Sequence, residues 1–166
     1  MSKKKQKIEK TLVEKILDRN QIPYHQTVFA THADAGGVAQ MDTSILNENE
    51  HLVYKTLVCT GNKTGVVVGV IPVTAHLSMK KLAQHSGNKK CELLPLKDLE
   101  RTTGYVHGAN TPIGIYFKHH FPIFLDESME NEAEIAVSSG KVGRSVFLDP
   151  HDLQKVTAGI FGDLLE

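Results

Sequence analysis

The sequence predicts an α/β (α+β) domain: a mixed, strongly curved sheet with helices packed outside it. Three observations point there. Segments with strand character outnumber helical ones, several are joined by turn chemistry that makes hairpins, and no strand–helix–strand unit repeats, which argues against a purely parallel, doubly wound sheet. The 166 residues suit one domain spanning 1–166, without internal repeat or linker. A chain of that length buries roughly 70% of its unfolded surface, so its core needs neither metal nor disulfide.

The elements follow in order. Ile8, Leu12, Ile16 and Arg19, widened by Val13 and Leu17, keep helical spacing, so 7–19 reads as an amphipathic helix that Asn20 and Pro23 end. Residues 24–29 read as a strand. His32 to Gly37 is loop or helix entry with Asp34 as an N-cap, and a short helix is expected over 35–46 although Gly36-Gly37 opposes it. Residues 51–59 and 66–71 form a hairpin around Gly61-Asn62-Lys63-Thr64-Gly65, the second strand apolar enough to be buried on both faces. Ser78 caps a helix to His85 that Gly87 stops. A short strand at 91–94 and a helix at 95–101, opened by Pro95, come next. Residues 104–114 carry three glycines and read as a loop that brings backbone close to something. Strands at 122–126, 134–138 and 144–148 follow, the last two around the 139–143 turn. Asp149 and Pro150 open a final helix to about Leu165.

Composition narrows the function. Hydrophobic residues make up 40% and charged residues 23%, which excludes low-complexity disorder. Nineteen basic against 19 acidic residues give a net charge of zero, so non-specific binding to DNA is not expected. A local basic cluster, Lys3, Lys4, Lys5 and Lys7, reads as a flexible terminus over 1–7 or as an arm that touches phosphate. No apolar run reaches the 18 residues a membrane span needs, and the basic N-terminus lacks the apolar stretch of a signal peptide, so a cytoplasmic protein without a membrane partner is expected. Cys59 and Cys91, 32 positions apart, form no CxxC.

Candidate chemistry is sparse. Lys55 stands alone in an apolar strand and shares a face with Leu57 and Cys59; Tyr54, Thr56 and Val58 take the other. Such a lysine either snorkels at an edge or serves a polar pocket. Cys59 is a buried small hydrophobe or a thiolate beside that cation. Ser138 precedes a glycine turn and either satisfies turn backbone or, given a base, is a nucleophile; no G-x-S-x-G is present. The histidine pairs, His32 with Asp34 and His119-His120, lack the spacing of HExxH, so no metal site is expected.

An ordered set of motifs goes further: Val53-Tyr54-Lys55-Thr56-Leu57; Pro72-Val73 leading to Met79-Lys80-Lys81-Leu82-Ala83; Thr102-Thr103-Gly104-Tyr105-Val106-His107-Gly108 with Thr111-Pro112-Ile113-Gly114; and Val137-Ser138-Ser139-Gly140-Lys141-Val142-Gly143. In this order they resemble the YbaK/EbsC/ProX family of aminoacyl-tRNA deacylases, most closely its YbaK branch, the Cys-tRNA(Pro) deacylases, from about Leu12 to Leu164. The resemblance implies a barrel-like sheet flanked by helices, a module also found as the editing domain of some prolyl-tRNA synthetases. It implies trans-editing: binding the 3′ aminoacyl-adenosine end of mischarged tRNA and cleaving its ester without a cofactor or metal, with prolyl-tRNA synthetase as a partner. Lys55 takes the place of the family's catalytic lysine, and Phe29, Val38, Thr56, Gly108, Ser138 and Gly140 fall at substrate-binding positions. Ser139 stands for a glycine, Val142 for an arginine and Val38 for a frequent aromatic, changes that bear on amino-acid selectivity. The family's proposed route has a cysteinyl substrate's own thiol attack its carbonyl; a positioned water is the other route. Two readings compete with the Cys-tRNA(Pro) deacylase: a ProX-like Ala-tRNA(Pro) hydrolase, and a non-catalytic module that binds aminoacyl-tRNA or a synthetase.

Overall fold

A computed structural model describes residues 8–29, 31–33, 39–41 and 49–166. Helix α1 (Leu12–Arg19) begins later than its periodicity predicts. Thr11 and Glu14 form a reciprocal capping box at its start, and this fixes the first turn four to five residues beyond Lys7. Strand β1 (His25–Val28) follows. The expected helix over 35–46 is overturned at its centre: β2 (Thr31–Ala33) and β3 (Ala39–Met41) pair antiparallel, and its remaining residues lie outside those described.

The predicted hairpin forms, its first strand beginning at Tyr54 rather than at His51. β4 (Tyr54–Gly61) and β5 (Gly65–Pro72) run antiparallel through eight residue pairs, and β5 is buried over most of its length. α2 (Met79–Ser86) has Ser78 as N-cap and Gly87, at φ +78°, as its left-handed stop. β6 (Cys91–Leu93) pairs with the far end of β4, and α3 (Leu96–Thr103) begins after Pro95, which serves as N-cap rather than within the first turn. The predicted loop ends earlier than expected. α4 (Pro112–His119) starts at Thr111, whose hydroxyl accepts from the Gly114 amide, and Pro112 sits in its first turn. β7 (Ile123–Asp126), a 3-10 turn at 127–131, β8 (Ile135–Ser138) and β9 (Arg144–Leu148) follow. α5 (Pro150–Thr157) stops well before Leu165, because Ala158 turns left-handed and Gly159 follows; the chain then makes β10 (Ile160–Gly162).

Besides the β2–β3 pair, two larger sheets form, one ordered β10-β7-β5-β4-β6 and one β1-β9-β8. β7 runs parallel to both β5 and β10 while the other pairings are antiparallel, so the sheet is mixed, as expected. A parallel bridge between Val53 and Ala136 joins the two sheets. The principal core fills the space between α1, α4, α5 and the sheets, with Leu17, Ile113, Ile115, Leu125 and Leu153 fully buried. A second core packs α2 against the other face of β4 and β5. Glu14 of α1, itself buried, accepts from Arg144 of β9 at 2.6 Å and from Gln26 of β1 at 2.9 Å, tying the first helix to the smaller sheet. Among the described residues no helix is long and apolar enough to cross a membrane.

Candidate active site

The seam between the sheets opens into a cleft of about 690 Å³ at the middle of β4. It exists because β4 loses its outer neighbour there. β6 pairs only with Cys59, Thr60 and Gly61, β8 runs beside β4 but is bridged to this segment at Val53, and the span between is bordered by α3, the glycine loop and the end of β8. Alternation along β4 divides the cleft. Lys55 and Leu57 lie on the face that also carries Leu93, opposite Cys59; Thr56 and Val58 lie on the other, beside Leu94.

Lys55 is half-buried, and burial pulls its ammonium below the ordinary lysine value. Among the described residues no carboxylate pairs with it. It is a desolvated point charge facing a cleft with leucine walls, the pocket reading rather than the snorkelling one. Cys59, on the same face, is fully buried and its thiol is pushed up to about 12, so the thiolate reading is overturned.

Gly108 borders the cleft at φ +85°, a left-handed conformation that suits glycine. Ser138 borders it too, and its hydroxyl accepts from the Gly140 amide at 3.3 Å, the turn-satisfying role. Among the described residues no base is bonded to that hydroxyl. Gly140, at φ +103°, leaves room for Tyr105, whose Cε1 would stand 3.1 Å from an added Cβ. The Tyr105 ring thus pins the glycine loop to the Ser138 turn, with the Lys118 ammonium 4.3 Å above its centre. Thr56 lines the cleft, and its Oγ1 is buried without a partner. Phe29 packs at the seam with Val53 and Ala136, in a cluster that Val73 of the cleft wall also touches. Val38 lies outside the described residues.

The structure adds residues that the sequence reading missed. Leu93, Leu94, Leu96 and Leu99 form an apolar wall; the Leu-Leu-Pro-Leu run at 93–96 was its only trace. Asn110 is buried beside the cleft, accepting from the Thr103 hydroxyl at 2.8 Å and donating to the Val106 carbonyl at 3.1 Å, and so braces the glycine loop. His107 also borders the cleft. The adjacent histidines serve structure: His119 Nε2 donates to the Thr103 carbonyl and its ring stacks on Phe121, while His120 caps α4 against Tyr116.

Comparisons with known proteins bear on the family and the fold. The family described as the aminoacyl-tRNA editing domain matches residues 37–156. A protein of Enterococcus faecalis named as a candidate Cys-tRNA(Pro)/Cys-tRNA(Cys) deacylase, EbsC, is 42% identical over 99% of this chain and 98% of its own length. Among solved structures, a candidate trans-editing enzyme for prolyl-tRNA synthetase has a TM-score of 0.73 at 18% identity, covering 93% of this chain and 94% of that one. A hypothetical protein has a TM-score of 0.78, also at 18% identity, covering 93% of this chain and 99% of its own. At that identity these two similarities speak for the fold.

Proposed function

The chain belongs to the aminoacyl-tRNA editing domain family, and on that premise we propose that it is a trans-editing deacylase whose preferred substrate is Cys-tRNA(Pro). The observation that carries the reading is Lys55: a half-buried ammonium, without a carboxylate partner among the described residues, in the stretch of β4 that lines one cleft with Gly108 and Ser138. An unneutralised charge in a partly apolar cleft is matched to an anionic or oxygen-rich ligand. Lys55 holds ribose or phosphate oxygens of the 3′ end as a point charge. Backbone amides of the Gly108 loop receive the carbonyl oxygen as it gains negative charge. An aminoacyl ester is already activated, so positioning and charge stabilisation supply much of the acceleration.

The nucleophile comes from the substrate or from water. The Ser138 hydroxyl is engaged as an acceptor by its own turn, which argues against a serine mechanism. With cysteine, the substrate sulfur bonds to the carbonyl carbon, the ester C–O bond breaks, and the ribose oxygen leaves with a proton. The zero net charge supports a partner, prolyl-tRNA synthetase, that supplies tRNA affinity.

Single-turnover rates on Cys-, Ser- and Ala-tRNA(Pro) test the assignment. Cysteine is expected to react fastest. Thiol attack makes serine far slower, because a hydroxyl is a much poorer nucleophile near neutral pH; equal rates for the two establish water attack. A preference for alanine makes the protein a ProX-like hydrolase, and binding without turnover makes it a non-catalytic module.

A further inference from the structure

The open stretch of β4 carries more than Lys55. Its antiparallel register with β5 pairs Lys55 with Ile71 and Leu57 with Gly69, and the Val73 amide donates to the Val53 carbonyl. In such a ladder, hydrogen-bonded pairs alternate. The odd-numbered residues of β4 therefore turn their amides and carbonyls toward β5, and the even-numbered residues turn theirs to the opposite edge. The Leu94 amide, which donates to the Val58 carbonyl from that side, agrees. Between the Val53–Ala136 bridge and Val58, the Tyr54 carbonyl and both the amide and carbonyl of Thr56 face the cleft without a strand partner among the described residues. The Thr56 Oγ1 is buried and unpartnered beside them. Exposed strand edges are templates for pairing, and groups of this kind are rarely left without a partner in a native structure.

The gap is too short for another strand. From Tyr54 to Val58 the chain rises about 13 Å at roughly 3.3 Å per residue, and it is closed at both ends. It suits a flat, apolar-faced group that enters edge-on in the plane of the sheet. Leu57 and Leu93 stand on one side of that plane and Leu94 and Val58 on the other. The hydrogen-bonding edge such a group must present is also defined. The Tyr54 carbonyl is an acceptor, the Thr56 amide a donor, and the two straddle Lys55 on one edge. An adenine ring carries the complement on adjacent atoms, a donor at N6 and an acceptor at N1.

We infer that the unpaired edge of β4 is a base-reading site, in which the Tyr54 carbonyl accepts from N6 and the Thr56 amide donates to N1 of the substrate's terminal adenine. This deepens the deacylase reading and rests on it for the identity of the ligand. The base anchors the nucleotide at the strand edge, and the ribose then lies beside Lys55.

The test alters single atoms of the substrate. The 3′-terminal adenosine of Cys-tRNA(Pro) is replaced by purine riboside, which lacks the N6 amine, by 1-deazaadenosine, which lacks the N1 acceptor, or by 7-deazaadenosine, which keeps both. The first two are expected to lower kcat/KM at least about tenfold each, the scale of one hydrogen bond whose partner is left unsatisfied; the third stays within about twofold of adenosine. Equal rates on all four overturn the inference while leaving the deacylase reading intact. Should no substrate be turned over, the deacylase reading fails and binding decides: AMP is expected to shift the Thr56 amide resonance more than purine riboside 5′-monophosphate does, and equal shifts overturn the site. Thr56→Pro removes the donor at an edge position where proline is tolerated. If it folds, it should lose the discrimination against 1-deazaadenosine and keep that against purine riboside; if it does not, the substrate analogues still decide.

Discussion

Lys55 is held where a lysine is costly. Burial lowers its pKa from the ordinary 10.5, with no neighbouring carboxylate among the described residues to offset the loss of water. The unfolded chain therefore holds this proton more tightly than the folded one. The cost is fully present at neutral pH and fades as pH rises through the lowered value toward 10.5. Lys55→Met should abolish most activity, by about 100-fold or more, yet melt at the same or a higher temperature than wild type at pH 7, with any gain gone above pH 10.5. A destabilised Lys55→Met with wild-type kcat/KM would make the lysine structural. On the role proposed for the Lys55 ammonium, wild-type activity should also fall with rising pH at a value below 10.5. Gly108 answers to a different constraint. Its φ of +85° costs an L-residue about 1–2 kcal/mol, and an added methyl would displace the loop's amides. Gly108→Ala is expected to reduce kcat/KM by more than its fall in stability explains, which comparing rates well below the melting temperature would reveal.

Among the secondary-structure elements, α4 shows how a local rule can reverse sign. Glycine inside a helix is normally improved by alanine. At Gly114, however, a Cβ would lie 2.6 Å from Thr111 Cγ2 and within collision distance of the Tyr105 hydroxyl. Gly114→Ala should lose about 1–3 kcal/mol, and Tyr105→Phe in the same chain should recover part of it in a thermal melt. Arg144 presents the opposite case, an attraction whose loss strands a charge. Its guanidinium meets a carboxylate, Glu14, that has no solvent exposure. Arg144→Ala should cost about 3–5 kcal/mol and lower the denaturation midpoint without a change in slope. Elements of this size were legible where their punctuation is local: the Ser78 cap, the Gly87 stop and the 61–65 turn appear in the sequence as they do in space. α4 was not, although Thr111-Pro112 is a cap followed by a first-turn proline; the surrounding glycines read as loop. β10 was missed for a similar reason. The apolar run to Leu165 hides the left-handed Ala158 that ends α5.

Across the whole molecule, the candidate site was half legible. Lys55, Thr56, Gly108 and Ser138 converge on one cleft, and motif order was enough to name them. The gap in β4 pairing was not legible, because it depends on where β6 stops and β8 begins, and no residue on β4 itself records that. Nor was the leucine wall, which is assembled from β6 and α3. The two thiols report on the molecule as one cooperative body. Cys59 and Cys91 lie in the core that packs α2 on the large sheet, and both are buried. They should stay unreactive toward an aromatic disulfide reagent in native buffer and become titratable together, across the same denaturant range as the loss of helical circular dichroism. Earlier reaction of either thiol would show that α2 lifts away on its own.

Among the described residues one bridge, between Val53 and Ala136, joins the two sheets, and Phe29 packs against it in a cluster that Val73 of the cleft wall also touches. A hinge so narrow works like the spine of a book: a small change in its thickness alters the gap between the covers. Exchanges at Ala136 would therefore retune which aminoacyl group is admitted while Lys55, Thr56, Gly108 and Ser138 keep their identity, so a lineage can drift in selectivity with its chemistry untouched.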